Sequence, residues 1–281
     1  MSRLDATFAA LRGAARPGLV TYVTAGDPDL ARSAGILRAL DAGGADVIEV
    51  GVPFSDPLAD GPVIQRATER ALAGGTTLAA TLALVAGERP HLRPPIVLFT
   101  YVNPVMRMGW ETFAREASGA GVDGVLVLDL PVEEAGRLHG SLGRAGLDTI
   151  FLLSPTTTPE RIRASARLGR GFLYAISRLG VTGARDTMGG EAAALCARIR
   201  RETTLPLALG FGLSRPEHVV EAGRLADAAV VGSALVATIA EHAGSDGLER
   251  TVENFVRWLR SGIDARETTG GSGGQETQGR R

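Results

Sequence analysis

Lysine is missing from this chain: all 30 of its basic residues are arginine, set against 31 acids, for a net charge of −1. A balance this even offers no basic field to nucleic acid or to an anionic lipid surface. The arginine-only usage reads as compositional bias rather than as a binding signal. Cysteine is nearly absent too. A single thiol, Cys196, excludes an internal disulfide framework and a CxxC metal site. Set in the helical pattern of residues 191–201, it reads as a buried, inert thiol. The four histidines, His91, His139, His218 and His242, are scattered through helical or linking segments. None pairs with another at ligand spacing, so neither a metal site nor a histidine-based triad is expected. No apolar run approaches the ~20 residues of a membrane span. The N-terminus, MSRLDATFAALRG, is interrupted by Arg3, Asp5 and Arg12 and lacks the apolar core of a signal peptide. A cytoplasmic protein that binds neither membrane nor nucleic acid is the expectation.

What the chain does contain is one repeated theme. Leu4, Phe8 and Leu11 recur at helical spacing and predict an amphipathic first helix. After it, short apolar strands alternate with longer amphipathic helices. The predicted strands are Leu19–Thr24, Val47–Gly51, Ile96–Tyr101, Gly124–Leu130, Thr149–Leu153, Phe172–Ser177, Leu205–Leu209 and Ala228–Val231. A helical pattern follows each of them, including Val132–Ala145 after the fourth strand. Strict βα alternation implies a parallel sheet. Eight such units within 281 residues predict an α/β protein with a closed (β/α)8 TIM barrel, one domain over residues 1–263 with an extra N-terminal helix. A doubly wound open sheet is the alternative, but the turn after the first strand, Ala25-Gly26-Asp27-Pro28, carries no G-x-G-x-x-G. Residues 264–281, ending in TTGGSGGQETQGRR, offer almost nothing to bury and are expected to form a disordered polar tail.

One residue is out of place in this pattern. Glu49 interrupts the β-branched strand Val47–Gly51, on the side shared by Val47 and Gly51. A carboxyl on a buried face must be paired, protonated or functional. In a barrel the C-terminal strand ends hold the active site, which makes Glu49 a candidate acid–base group unless one of the many arginines pairs with it. The loop that follows adds Asp56 and Asp60 between Pro53, Pro57 and Pro62. Asp56 is either a turn residue or an exposed interaction residue, and Asp129 points either at the site or toward a partner. Glycine-bearing turns after strands six, seven and eight hold Gly183, Gly212, Gly232 and Ser233. Together they read as a phosphate cradle of exposed N–H groups. Tyr22, Phe99, Tyr101, Leu126, Leu152, Tyr174 and Phe211 lie at or near strand ends; plain core packing is the default reading for most of them, and a slot for a flat ring, walled by them together, is the alternative. The segment 178–190 has the glycines of a mobile lid.

These motifs resemble a known family. IEVGVPFSDPLADGPVIQ (48–65) is similar to the hallmark of the tryptophan synthase α subunit, as are TAGDP (24–28), SRLGVTG (177–183), GFGLS (210–214) and GSA (232–234). The resemblance runs in order from the first helix to about residue 262. It implies a carbon–carbon lyase that reversibly cleaves indole-3-glycerol phosphate to indole and glyceraldehyde 3-phosphate, late in tryptophan biosynthesis. It also implies a β subunit, in an α2β2 heterotetramer, that carries pyridoxal phosphate and receives the indole; this chain itself needs no cofactor. By resemblance Glu49 is the general acid/base and Asp60 the partner of the indole N–H. Tyr174 is an active-site tyrosine, and Thr182 the lid residue that meets Asp60. Pro53, Asp56, Pro57, Asn103 and Pro131 match the β-facing surface. Tyr22 stands where phenylalanine is frequent. A stand-alone lyase and a catalytically silent barrel kept as a binding or allosteric partner are the other readings. Intact Glu49, Asp60 and the glycine set speak against the silent one.

Overall fold

A computed structural model describes residues 1–176, 190–210 and 212–270. Eight strands close into a barrel in the order β1-β2-β3-β4-β5-β6-β7-β8, every neighbouring pair parallel. They are β1 (Gly18–Thr24), β2 (Val47–Gly51), β3 (Ile96–Thr100), β4 (Gly124–Val127), β5 (Asp148–Leu153), β6 (Leu173–Ile176), β7 (Leu207–Gly210) and β8 (Ala228–Val231). The helices are α1 (Arg3–Gly13), α2 (Leu30–Gly43), α3 (Pro62–Ala73), α4 (Leu78–Glu88), α5 (Val102–Met108), α6 (Trp110–Gly119), α7 (Gly136–Arg144), α8 (Pro159–Leu168), α9 (Gly190–Glu202), α10 (Pro216–Leu225), α11 (Ser233–Glu241) and α12 (Leu248–Gly270).

The elements form where local chemistry favours them. Ser2 and Asp5 make a reciprocal capping box at α1. Asp29 caps α2 by accepting the Arg32 N–H, and α2 ends at Gly44 in the left-handed region. Asp27, two residues earlier, is held by the fork of Arg70. Two buried layers result. Alternate strand residues such as Val20, Val47, Val97 and Leu126 fill the lumen, while their neighbours Leu19, Ile48, Leu98 and Val125 pack outward against the helices. Helix α1 closes the N-terminal end of the barrel. Its Leu4, Phe8 and Leu11 join the lumen cluster, and the Phe8 ring lies 5.4 Å from that of Phe172.

A repeated device starts the strands at that end. Asp46, just before β2, accepts the Leu19 N–H of β1 at 2.9 Å. Asp123, just before β4, accepts the Ile96 N–H of β3 at 2.8 Å. Asp227, just before β8, accepts the Leu207 N–H of β7 at 2.7 Å. Each also meets arginine: Asp46 takes both arms of Arg16, Asp123 faces Arg3 and Arg89, and Asp227 pairs with Arg200. Arginine suits this place, since its planar fork matches a carboxylate.

Some expectations move. β4 ends at Val127 rather than Leu130, and α7 begins at Gly136 rather than Val132, because turns bonded from Glu134 to Pro131 and from Ala135 to Val132 take up the space between. β7 starts two residues later than read, at Leu207. The short α5 has no counterpart in the sequence reading; only Val105 of it is buried, so it carries no amphipathic signal. α12 runs on to Gly270, past residue 263 where the barrel was expected to end. Residues 271–281 lie outside the described residues.

Candidate active site

At the C-terminal strand ends lies a cavity of about 260 Å³. Glu49, Asp60, Tyr22, Phe99, Leu152, Tyr174, Gly212, Gly232 and Ser233 all line it, together with Leu128. β2 carries Glu49 on its lumen face, in register with Tyr22 of β1 and Val97 of β3. Its side chain is 0% exposed, and neither carboxyl oxygen has a hydrogen-bond partner among the described residues. Among the described residues the alternative of a structural ion pair finds no arginine to supply it. Desolvation alone pushes the carboxyl up to about 8, so Glu49 holds a proton at neutrality and gives it up just above. That is the range in which a general acid–base group works best.

Asp60 enters from the loop after β2, and several contacts fix it there. Its N–H reaches the Pro57 carbonyl at 3.1 Å. Its carbonyl accepts the Gln65 amide at 2.9 Å. The neighbouring Ala59 N–H donates to the Tyr101 hydroxyl at 3.2 Å, and the Tyr101 ring packs 5.1 Å from that of Phe54. Burial raises the Asp60 carboxyl to about 6, and a hydrogen bond from Tyr101 works against the rise. Two carboxyls of unequal environment thus face one space, the pattern that separates acid and base roles.

Two helices open on the same cavity. α3 begins at Gly61-Pro62 and α11 at Gly232-Ser233, both on its wall and both without a side-chain cap. Their N-terminal ends bring partial positive charge and unspent N–H groups to an otherwise apolar space. An anionic group beside Gly212, Gly232 and Ser233 is favoured by that arrangement.

Other expected residues fall differently. Leu126 is fully buried in the lumen cluster, one layer below the cavity, and Leu128 takes its place on the wall. Tyr101 does not line the cavity; it acts on the loop. Ile176, Val230, Val63 and Ile64 also line it and were not foreseen. The first two were within reach of the sequence, since Ile176 lies two residues beyond Tyr174 on the same strand face. Thr182, Gly183 and Phe211 lie outside the described residues, as does the expected lid over 178–190 except for Gly190, where α9 begins. Asp129 is exposed and does not line the cavity; it accepts the Val102 N–H at 2.7 Å and so caps α5. Of the residues expected at a partner surface, Asp56, Asn103 and Pro131 are exposed and Pro57 half-buried, whereas Pro53 is buried inside the chain and shapes the loop from within. Leu58, at 94% exposed, stands out on the same loop. Cys196 is buried, and desolvation lifts its thiol to about 11, away from nucleophilic use.

A barrel mouth that can hand over and withdraw a proton beside helix ends that favour an anion belongs to an acid–base enzyme acting on a small phosphorylated substrate. Similarity sharpens this. Residues 8–262 match the family described as tryptophan synthase alpha chain. The tryptophan synthase alpha chain of Solibacter usitatus is 48% identical over 266 residues, covering 95% of this chain and 100% of that relative. That of Citrifermentans bemidjiense is 49% identical over 263 residues, covering 94% and 98%. Among solved structures, tryptophan synthase subunit alpha from Legionella pneumophila superposes with a TM-score of 0.87 at 35% identity, covering 94% of this chain and 99% of that one. A chain of Mycobacterium tuberculosis tryptophan synthase in its aminoacrylate-bound form gives 0.84 at 36% identity, covering 94% and 100%. The chain belongs to the tryptophan synthase alpha chain family, and the lyase activity on indole-3-glycerol phosphate implied by the sequence motifs stands.

Proposed function

We propose that Glu49 and Asp60 carry the retro-aldol cleavage of indole-3-glycerol phosphate to indole and glyceraldehyde 3-phosphate. The observation that carries this reading is the unpartnered Glu49 carboxyl, raised to about 8, on the wall of a cavity it shares with Asp60. Glu49 delivers its proton to indole C3, which turns the ring into a cationic indolenine. Asp60 accepts a hydrogen bond from the ring N–H and balances that charge. The hydroxyl on the adjoining glycerol carbon then loses its proton, with Glu49 as the acceptor. That oxygen becomes the aldehyde carbonyl, and the electrons of the broken C–C bond return to the ring as indole. Tyr22, Phe99, Leu128, Leu152 and Tyr174 enclose the ring and the glycerol chain. Gly212, Gly232 and Ser233 hold the phosphate.

The partner is a tryptophan synthase β subunit that carries pyridoxal phosphate, in an α2β2 heterotetramer within the cytoplasm. Asp56, Pro57, Asn103 and Pro131 supply the facing surface, and Pro53 supports it. No single helix among the described residues is long and apolar enough to cross a membrane.

The test is indole release from indole-3-glycerol phosphate by the chain and by Glu49→Gln. The variant is expected to lose ~10²–10⁴-fold in rate while still binding glycerol 3-phosphate. Substantial residual cleavage sinks the role given to Glu49. Strong activation on adding a β subunit separates a complex from a stand-alone lyase.

A further inference from the structure

Tyr22 is set differently from the other rings of the site. β1 and β2 place it directly beside Glu49, it is 5% exposed, and its ring meets Phe99 edge-on at 5.1 Å. Its hydroxyl reaches over Gly51. A β-carbon on Gly51 would lie 2.2 Å from the Tyr22 oxygen and 2.6 Å from the ring carbon that bears it. Gly51 sits in ordinary strand and is not among the glycines with positive φ, so its missing side chain makes room for the phenol rather than for a turn. The hydrogen bond this hydroxyl makes, to Thr24 Oγ1 at 3.4 Å, is longer than a good O–H···O contact of roughly 2.5–3.0 Å. A buried phenol held so loosely keeps a donor to spare.

Gly51 is also the last strand residue before the loop that carries Asp60, and Tyr22 and Asp60 line the same cavity. Tyr101, which follows β3, accepts the Ala59 N–H, and its hydroxyl works against the burial-driven rise of the Asp60 carboxyl. The titratable groups around Asp60 are Tyr22 from β1, Glu49 from β2, and Tyr101 after β3, with Asp129 beyond Tyr101. The described residues lining the cavity include no cation. Hydrogen-bond donors are therefore what can hold a negative charge on Asp60 once a ligand has expelled water.

We propose that Tyr22 is a positioning residue for Asp60: when ligand fills the cavity its hydroxyl donates to the Asp60 carboxylate, so that Tyr22 and Tyr101 both hold the acid. The inference rests on the lyase reading and adds to it. The influence runs both ways, for burial first and Asp60 next raise the Tyr22 phenol.

The experiment is the pH profile of kcat, which reports the ligand-filled enzyme, for the parent and Tyr22→Phe, which keeps the ring and its Phe99 contact. Loss of a donor to the charged form raises the Asp60 pKa. The acid limb of kcat is expected to move up by about one pH unit, so that the variant loses roughly tenfold more activity on the acid side of the profile than on the alkaline side. The upper limb, set by Glu49, and glycerol 3-phosphate binding should stay in place. A superimposable profile, or a loss equal at every pH, overturns the proposal. A carbon-13 NMR titration of the Asp60 carboxyl, with indole and glycerol 3-phosphate bound, reads the same pKa without turnover. Equal values in parent and variant also overturn it. A parent that makes no indole would instead count against the lyase reading.

Discussion

Glu49 should destabilise the fold that holds it, and by an amount that depends on pH. Its carboxyl titrates at about 8 in the folded chain against an ordinary 4.5. The native state therefore binds that proton more tightly than the unfolded chain does. Stability is lost as pH rises from the unfolded value through the folded one, the reverse of a salt-bridged acid. At about 1.4 kcal/mol per pH unit the full penalty is about 5 kcal/mol, and the part that falls between pH ~6 and pH ~9 is about 3 kcal/mol. Glu49→Gln keeps the shape and removes the charge. Its buried amide costs about 1–3 kcal/mol at every pH, which does not alter the slope. Urea unfolding followed by circular dichroism at several pH values, parent against variant, isolates the term because all other groups cancel. The variant should gain about 3 kcal/mol relative to the parent across that range. Stabilities that run parallel with pH would refute the reasoning, for they would mean that the native carboxyl ionises as freely as an exposed one. The same strain serves catalysis, since a proton held to near neutrality is a proton that can be delivered.

Two further outcomes follow from contacts elsewhere. Gly51→Ala forces a β-carbon into the Tyr22 hydroxyl; it should lower stability by about 1–3 kcal/mol and reduce indole release, and pairing it with Tyr22→Phe should recover part of the stability in a double-mutant cycle. Asp46→Ala removes the acceptor of the Leu19 N–H and of the Arg16 fork. It should cost about 2–4 kcal/mol in urea unfolding with kcat/KM unchanged at temperatures where the variant is folded, because it lies at the far end of the barrel from the cavity.

Much of this architecture can be read from the chain alone, for a definite reason. Each strand of a closed parallel barrel is buried on both faces, so it writes itself as a short β-branched run. The helices between them carry their own period, as in α2, where Ile36, Leu37 and Leu40 are buried. Eight repeats of that alternation leave few other topologies. Glu49 is legible for the same reason, since a lone acid is conspicuous in VIEVG. The elements that escaped are those whose form depends on distant partners. α5 has one buried residue and an N-terminus capped by Asp129 from another loop. β4 and α7 are shortened by turns around Pro131 that periodicity does not register.

By itself the sequence determined the barrel, its strand order, the family, and the acids and glycines at the strand ends, because these rest on local pattern and on motifs of fixed spacing. Only the tertiary structure decided what each side chain meets. Among the described residues it left Glu49 without a partner, in a chain that holds 30 arginines. It set Leu128 rather than Leu126 on the cavity wall, turned Tyr101 from a wall residue into the holder of the Asp60 loop, and lodged the Tyr22 hydroxyl over Gly51. Charge state and reach depend on burial and on neighbours brought together across the barrel, and the closing of eight strands around one lumen is what brings them together.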